Sequence, residues 1–74
     1  MSFSEEVANR LAEDVIQVME KLGEPRLHEE IAKSLGASSQ TTEEAFRTAI
    51  RVLLAERRAR DLLREIEQKG GLEE

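Results

Sequence analysis

The sequence predicts an all-α fold, a compact three-helix bundle, and three observations support that class. Apolar residues recur at helical spacing in three separate segments. The four glycines and the single proline fall only between or after those segments, where they act as breaks. β-branched residues never form the alternating run that a strand requires. A chain of 74 residues fits one domain, which we place over residues 1–74.

The first helix is predicted over about residues 4–22. The hydroxyl of Ser4 can accept a hydrogen bond from a first-turn amide, as an N-cap does. Glu5 and Glu6 then lie where the helix dipole favours anions. The apolar residues of this segment occupy one half of the helical wheel and the polar residues occupy the other. Gly23 is expected to end the helix in the left-handed conformation.

A short second helix is predicted over about residues 25–35. Pro25 suits the first helical position, where a missing amide hydrogen costs nothing. Gly36 is expected to stop the helix. A polar connection follows over residues 37–40.

The third helical segment is predicted over about residues 42–69, with the start marked by the capping-box spacing of Thr41-Thr42-Glu43-Glu44. Its apolar arc narrows and shifts after Leu54, and two structures explain the shift. One is a single long helix, which the absence of glycine and proline favours. The other is a break near residues 56–58 that gives four helices, which is favoured because one straight helix would overhang the first. Residues 70–74 are expected to be a tail or a vector-derived scar.

The predicted core is taken from the apolar faces of the three segments. It comprises Val7, Leu11, Val15, Val18, Met19, Leu22, Leu27, Ile31, Leu35, Phe46, Ile50, Leu53 and Leu63.

The composition limits the classes of function. The formal net charge is −5 and the pI is about 4.9, a balance that disfavours binding to a nucleic-acid backbone. No apolar run approaches the ~20 residues of a membrane span, and the N-terminus lacks the pattern of a signal peptide. We therefore expect a soluble, cytoplasmic protein with no membrane partner. The absence of cysteine excludes disulfides and thiolate chemistry.

The titratable residues form no catalytic or metal-binding pattern. The only histidine, His28, lies in the apolar arc of the second helix and has no second histidine or cysteine at metal-ligand spacing, so we expect its ring to be partly packed. Neighbouring acids diverge by about 100° on a helix, and the acidic pairs are predicted to be solvated surface: Glu5-Glu6, Glu13-Asp14, Glu29-Glu30 and Glu43-Glu44. The sequence predicts no enzyme, no cofactor and no metal.

Two features bear on nucleic-acid binding. Acidic residues interleave the basic cluster Arg57-Arg58-Ala59-Arg60, and no aromatic residue lies nearby to stack on bases. The motif Ile31-Ala32-x-x-Leu35-Gly36-Ala37 is similar to the first helix and turn of the helix-turn-helix family. This resemblance implies a nucleic-acid-binding domain over residues 27–47. Its recognition helix would open with Glu43 and Glu44, which face phosphates unfavourably, so nucleic acid is not the expected partner.

The sequence is therefore compatible with three functions. The leading hypothesis is a non-catalytic, stable helical scaffold of engineered or computationally designed (de novo) type, which needs no partner, because every helix has start and stop signals and strict patterning. A natural domain rich in Arg and Glu is the rival origin. The first alternative is a protein-interaction or self-association module, a homodimer for example, on the helix surface over residues 50–66. Its predicted contact residues are Val52, Ala59, Leu62, Leu63 and Ile66. The second alternative is the helix-turn-helix-like domain.

Overall fold

Three helices account for most of residues 1–72, the part of the chain that the structure, a computed structural model, describes. Their order is α1 (Phe3–Leu22), α2 (Leu27–Gly36) and α3 (Gln40–Lys69), and each helix contacts both others. The described residues contain no strand. The all-α, compact three-helix bundle predicted from the sequence is therefore confirmed. Glu73 of the predicted tail or scar lies outside the described residues, as does Glu74.

The N-cap of α1 is Ser2, and the prediction of Ser4 is wrong. The Ser2 hydroxyl accepts a hydrogen bond from the Glu5 amide at 3.1 Å, and Glu5 Oε1 accepts one from the Ser2 amide at 3.1 Å. This reciprocal pair is a capping box, and only Ser2 has a glutamate three residues further on. At the other end Gly23 has φ 67° and caps the helix in the left-handed conformation, as predicted.

The bounds of α2 differ from the prediction at both ends. Pro25 lies in a turn with Arg26, and the helix begins at Leu27. Gly36 is the last helical residue and does not take the left-handed conformation. A Cβ atom at this position would collide with the carboxylate of Glu43. Gly36 therefore lets the end of α2 approach the first turn of α3, which is a different role from the predicted stop.

α3 is one continuous helix of 30 residues, so the predicted alternative of a break near residues 56–58 is wrong. Its N-cap is Ser39, whose hydroxyl accepts a hydrogen bond from the Thr42 amide at 3.2 Å. The capping box predicted at Thr41 is therefore replaced by a cap two residues earlier. The connection from α2 shortens to residues 37–39 as a result.

The buried core lies where the three helices meet. Phe46 is the largest fully buried side chain, and several alanines are buried around it. The buried residues are Ala8, Ala12, Val15, Ile16, Met19, Ala32, Phe46, Ala49 and Ile50. Among the predicted core residues, Leu11, Leu27, Ile31, Leu35 and Leu53 are partly buried against this cluster, and Val7 is half-buried.

Three predicted core residues are exposed, and each has a geometric reason. Val18 lies on α1 at the edge of the apolar face, away from the α3 contact, and Leu22 lies in the last turn of α1. Leu63 lies beyond the part of α3 that the other helices cover. The apolar faces of α1 and α3 are therefore larger than the parts of those faces that pack against other helices.

The second half of α3 projects from the bundle. An ion pair joins Arg57 to Glu20 in the last turns of α1, and after Arg57 every described residue is exposed except the half-buried Ile66. We call residues 58–72 the arm. The radius of gyration is 15.2 Å and the long axis is 50 Å, whereas a compact chain of this length would have a radius of about 11 Å. The arm accounts for the difference.

Candidate functional site

Large apolar side chains are exposed together along one side of α3. Val52 is 61% exposed, Leu62 57% and Leu63 61%, while Ala59 is exposed and Ile66 is half-buried. At about 100° of rotation per residue, these five positions fall within a single arc of α3. They are the five contact residues that the sequence nominated, and we call them the α3 strip. The structure brings all five to one face.

The bundle half of this face opens into a groove between α1 and α3. The groove has a volume of about 570 Å³. Its apolar lining comes from α3, namely Ala45, Ala49, Val52 and Leu53. Its polar lining is Glu5, Asn9 and Glu13 from α1 and Thr41, Glu44 and Thr48 from α3. Val52 belongs to both features, so the groove and the α3 strip form one continuous surface.

Parallel helix directions create the groove. The N-terminal half of α1 lies beside residues 41–53, and its C-terminal turns reach Arg57. α2 runs in the opposite direction on another side of α3, where Gly36 approaches Glu43 and Glu29 reaches Arg47. The polar side of α1 therefore forms one wall of the groove. The helical wheel of α1 alone does not predict this, because it does not show which helix packs beside that side.

The groove is acidic. Glu5, Glu13 and Glu44 line it, and no basic residue does. The pKa of Glu5 is lowered, because its carboxylate accepts hydrogen bonds from the Ser2 amide and then from the Ser2 hydroxyl. The capping box thus holds this carboxylate of the groove at the first turn of α1. Such a surface favours a partner that is apolar in the middle and basic at its edges.

Arg47 holds α2 and α3 together beside this surface. Its Nη1 lies 3.0 Å from Glu29 Oε1, and its Nε donates to Glu43 Oε2 at 3.1 Å. These contacts raise the pKa of Arg47, with the hydrogen bond to Glu43 as the largest cause. Glu29 and Glu43 are therefore used in helix packing. Glu30 instead lies 3.7 Å from Lys33 on the exposed side of α2, so this acidic pair splays apart as expected.

Ion pairs occupy much of the basic cluster. Arg57 pairs with Glu20, Arg60 Nη2 lies 2.9 Å from Glu56 Oε2, and Arg64 pairs with Asp61. Their charges are largely neutralised by neighbouring acids, which weakens the case for a phosphate-binding face.

The segment that resembles a helix-turn-helix unit has a three-residue turn between its helices. Glu43, one of the two acids of the would-be recognition helix, faces Arg47 and Gly36 rather than solvent. The exposed side of that helix carries Thr41, Glu44 and Thr48 and forms one wall of the acidic groove. Carboxylates from two helices would therefore meet an approaching phosphate backbone.

The remaining candidates offer no further site. His28 is half-buried in the first turn of α2. Within residues 1–72, no group of three or more His, Asp or Glu side chains could hold a metal ion. Within the same residues, no helix is both long enough and apolar enough to cross a membrane.

Comparison of the chain with protein-family models, with characterised proteins and with solved structures returns no match. The function is therefore inferred from the chemistry of the α3 strip and the groove.

Proposed function

We propose that this chain is a non-catalytic helical module that associates with a second copy of itself through the α3 strip. The observation that carries this proposal is the projection of α3 beyond the bundle with Leu62, Leu63 and Ile66 on it. The helical part of the arm, residues 58–69, is about 18 Å long. An isolated helix of fewer than about 12–15 residues is marginal in water. A second copy packed on the α3 strip would supply the burial that the arm lacks.

The size of the α3 strip predicts modest affinity. Complete burial of a Val or Leu side chain contributes roughly 1.5–3 kcal/mol, and the larger side chains of the strip are already partly covered by their own helix. Association itself costs an estimated ~4–15 kcal/mol in lost freedom. Two copies of a strip of this size offset that cost with a limited surplus, so we expect a dimer that forms in the micromolar to millimolar range.

The same exposure favours this module over the self-contained scaffold. A bundle that needs no partner gains solubility by keeping exposed apolar patches small and scattered. Here the exposed apolar residues are large and contiguous, and they continue into a groove. The engineered origin and the cytoplasmic location stay predictions.

The test is the molar mass in solution, measured by sedimentation equilibrium and light scattering from micromolar to millimolar concentration. We expect the wild-type chain to dimerise and the variants Leu62→Glu and Ile66→Glu to remain monomeric, with helicity by circular dichroism largely retained. Leu22→Glu is the matched control, because Leu22 is 60% exposed, against 57% for Leu62, but lies on α1 outside the α3 strip. A wild-type monomer throughout, or equal association of wild type and Leu62→Glu, would overturn the proposal.

A further inference from the structure

The α3 strip belongs to a longer regular pattern. Small and apolar residues follow one another along α3 at alternating spacings of four and three, the pattern of a helix that packs along its length against another helix. The positions are Ala45, Thr48, Val52, Ala55, Ala59, Leu62 and Ile66. Leu63 flanks them on one side of the helix. The pattern runs without interruption from the groove to Ile66, in the last turn of the arm before Lys69.

We propose that two copies pair through α3 in opposite directions, so that the arm of each copy lies in the groove of the other. This inference rests on the proposed self-association and adds its geometry. The lengths agree, because the helical part of the arm, residues 58–69, is nearly as long as residues 41–53, the part of α3 that lines the groove. A parallel pair would bring the two arms together and leave both grooves open.

The distribution of charge favours the antiparallel pair. Residues 1–57 carry eleven acidic and seven basic side chains, a net charge of −4. Residues 58–72 carry three acidic and four basic side chains, a net charge of +1. An antiparallel pair sets each weakly basic arm beside the carboxylates of Glu5 and Glu13 in the other copy. A parallel pair would place the two arms, both weakly basic, beside each other and the two acidic bundles beside each other.

Charged residues beside the pattern restrict the register. They recur every seven residues as Glu44, Arg51, Arg58 and Glu65, and in an antiparallel pair this flank faces the same flank of the second copy. One register pairs Arg51 with Glu65 of the second copy, twice by symmetry. A shift of seven toward the C-terminus pairs Arg58 with Glu65 of the second copy, but it sets Val52 opposite Lys69 and takes the arm out of the groove. A shift of seven toward the N-terminus pairs like charges throughout and is disfavoured. A further shift of seven pairs Glu44 with Arg58 of the second copy.

The apolar residues choose between the two remaining complementary registers. When Arg51 faces Glu65 of the second copy, large residues lie opposite small or medium ones: Val52 opposite Leu62, Thr48 opposite Ile66, Ala55 opposite Ala59, and Ala49 opposite Leu63. In the register that pairs Glu44 with Arg58, Leu62 would instead reach the level of Ser38, before α3 begins. Only the first register covers the whole α3 strip. Its unfavourable contact is Arg58 facing Arg58 of the second copy at the centre.

Reversal of charge at positions 51 and 65 tests this register. The two positions are about 21 Å apart in one helix, beyond the screening length of about 8–10 Å at physiological salt, so they couple only between copies. Arg51→Glu and Glu65→Arg should each weaken homodimerisation roughly five- to tenfold at low salt. An equimolar mixture of the two variants should form a 1:1 heterodimer of near wild-type affinity. The double variant should dimerise with itself.

The matched control is the pair Glu44→Arg and Arg58→Glu, examined in the same way by sedimentation equilibrium and native mass spectrometry. In the inferred register position 58 faces itself and position 44 lies opposite the chain beyond α3, so Glu44→Arg and Arg58→Glu should each homodimerise like wild type. That result, together with recovery in the 51/65 mixture, would support the inference. Weakened homodimers of Glu44→Arg and Arg58→Glu, with no effect of the changes at positions 51 and 65, would overturn the register. Loss of dimer in Leu62→Glu without recovery in either mixture would overturn the antiparallel pairing and leave the proposed function standing. A monomeric wild-type chain would overturn both.

Discussion

Gly36 and Glu43 share one small space at the junction of α2 and α3. A Cβ atom built on Gly36 would lie 2.9 Å from Glu43 Cδ and would collide with the carboxylate oxygen. Glu43 is held in that place by Arg47, whose Nη2 lies 3.0 Å from Glu43 Oε2. The glycine therefore provides room for an ion pair within α3 whose arginine also pairs with Glu29 of α2.

Replacement of Gly36 by alanine should reveal this packing through a double-mutant cycle. Alanine is favoured over glycine within a helix by about 1 kcal/mol, but Gly36→Ala must displace Glu43 from Arg47 and should gain little. In a Glu43→Ala background the same change should stabilise the fold by up to ~1 kcal/mol. Urea unfolding of the four proteins measures both steps. An equal effect of Gly36→Ala in the two backgrounds would show that the two positions do not interact.

Loss of the α3 cap should be specific to Ser39. Because the Ser39 hydroxyl accepts the Thr42 amide hydrogen bond, Ser39→Ala should lower the free energy of unfolding by about 1 kcal/mol. Thr41→Ala, two residues further along, should change it by less than about 0.5 kcal/mol. Chemical denaturation of both variants provides the comparison. A larger loss of unfolding free energy for Thr41→Ala than for Ser39→Ala would contradict the cap at Ser39 and favour the capping box predicted at Thr41.

The core should depend on Phe46 far more than on Phe3. Phe46 is fully buried and Phe3 is 76% exposed. A buried Phe→Ala change typically costs about 3–5 kcal/mol, close to the whole stability expected of a domain of this size. Phe46→Ala should therefore be largely unfolded by circular dichroism, and Phe46→Leu should fold with a lower thermal midpoint. Phe3→Ala should melt close to wild type, and a comparable loss there would contradict the described burial.

The capping box of α1 should make stability depend on pH in the acid range. The hydrogen bonds with Ser2 lower the pKa of Glu5 below its ordinary value of 4.5, so folding favours the ionised form. The contribution is complete above that value and is lost as the pH falls through the lowered pKa. The difference in unfolding free energy between wild type and Glu5→Gln should therefore shrink on acidification. Glu6→Gln, outside the capping box, controls for the loss of one first-turn charge, and an equal acid response in both variants would contradict the prediction.

The sequence predicts the fold class well because helical periodicity and glycine breaks are local signals. Residues that depend on neighbouring helices are predicted less well. Ala32 and Ala49 are buried in the core, whereas a ranking by hydrophobicity favours Val18 and Leu22, which are exposed. The two missed N-caps arise from a second hydroxyl residue two positions away, at Ser4 and at Thr41.

The candidate site divides in the same way. All five residues of the α3 strip could be identified from one helix, since their shared face is a property of α3 alone. The groove could not be identified from the sequence. One of its walls is formed by Glu5, Asn9 and Glu13, and the helical wheel of α1 does not show which helix packs beside them. The charges at Arg51 and Glu65 indicate a pairing register only if both residues lie on one continuous helix, and the sequence left that open.

If two copies pair as proposed, the projecting arm would link the survival of the chain to its own abundance. Arg58, Arg60 and Arg64 are exposed on a helical end with little tertiary support, and helical ends of this kind open often. In dilute solution a trypsin-like protease would reach these bonds whenever the arm unwinds, and would leave a trimmed bundle that has lost much of the α3 strip. At concentrations where a second copy covers the arm, the same bonds would be shielded. Scarce chains would thus be shortened and abundant chains would persist.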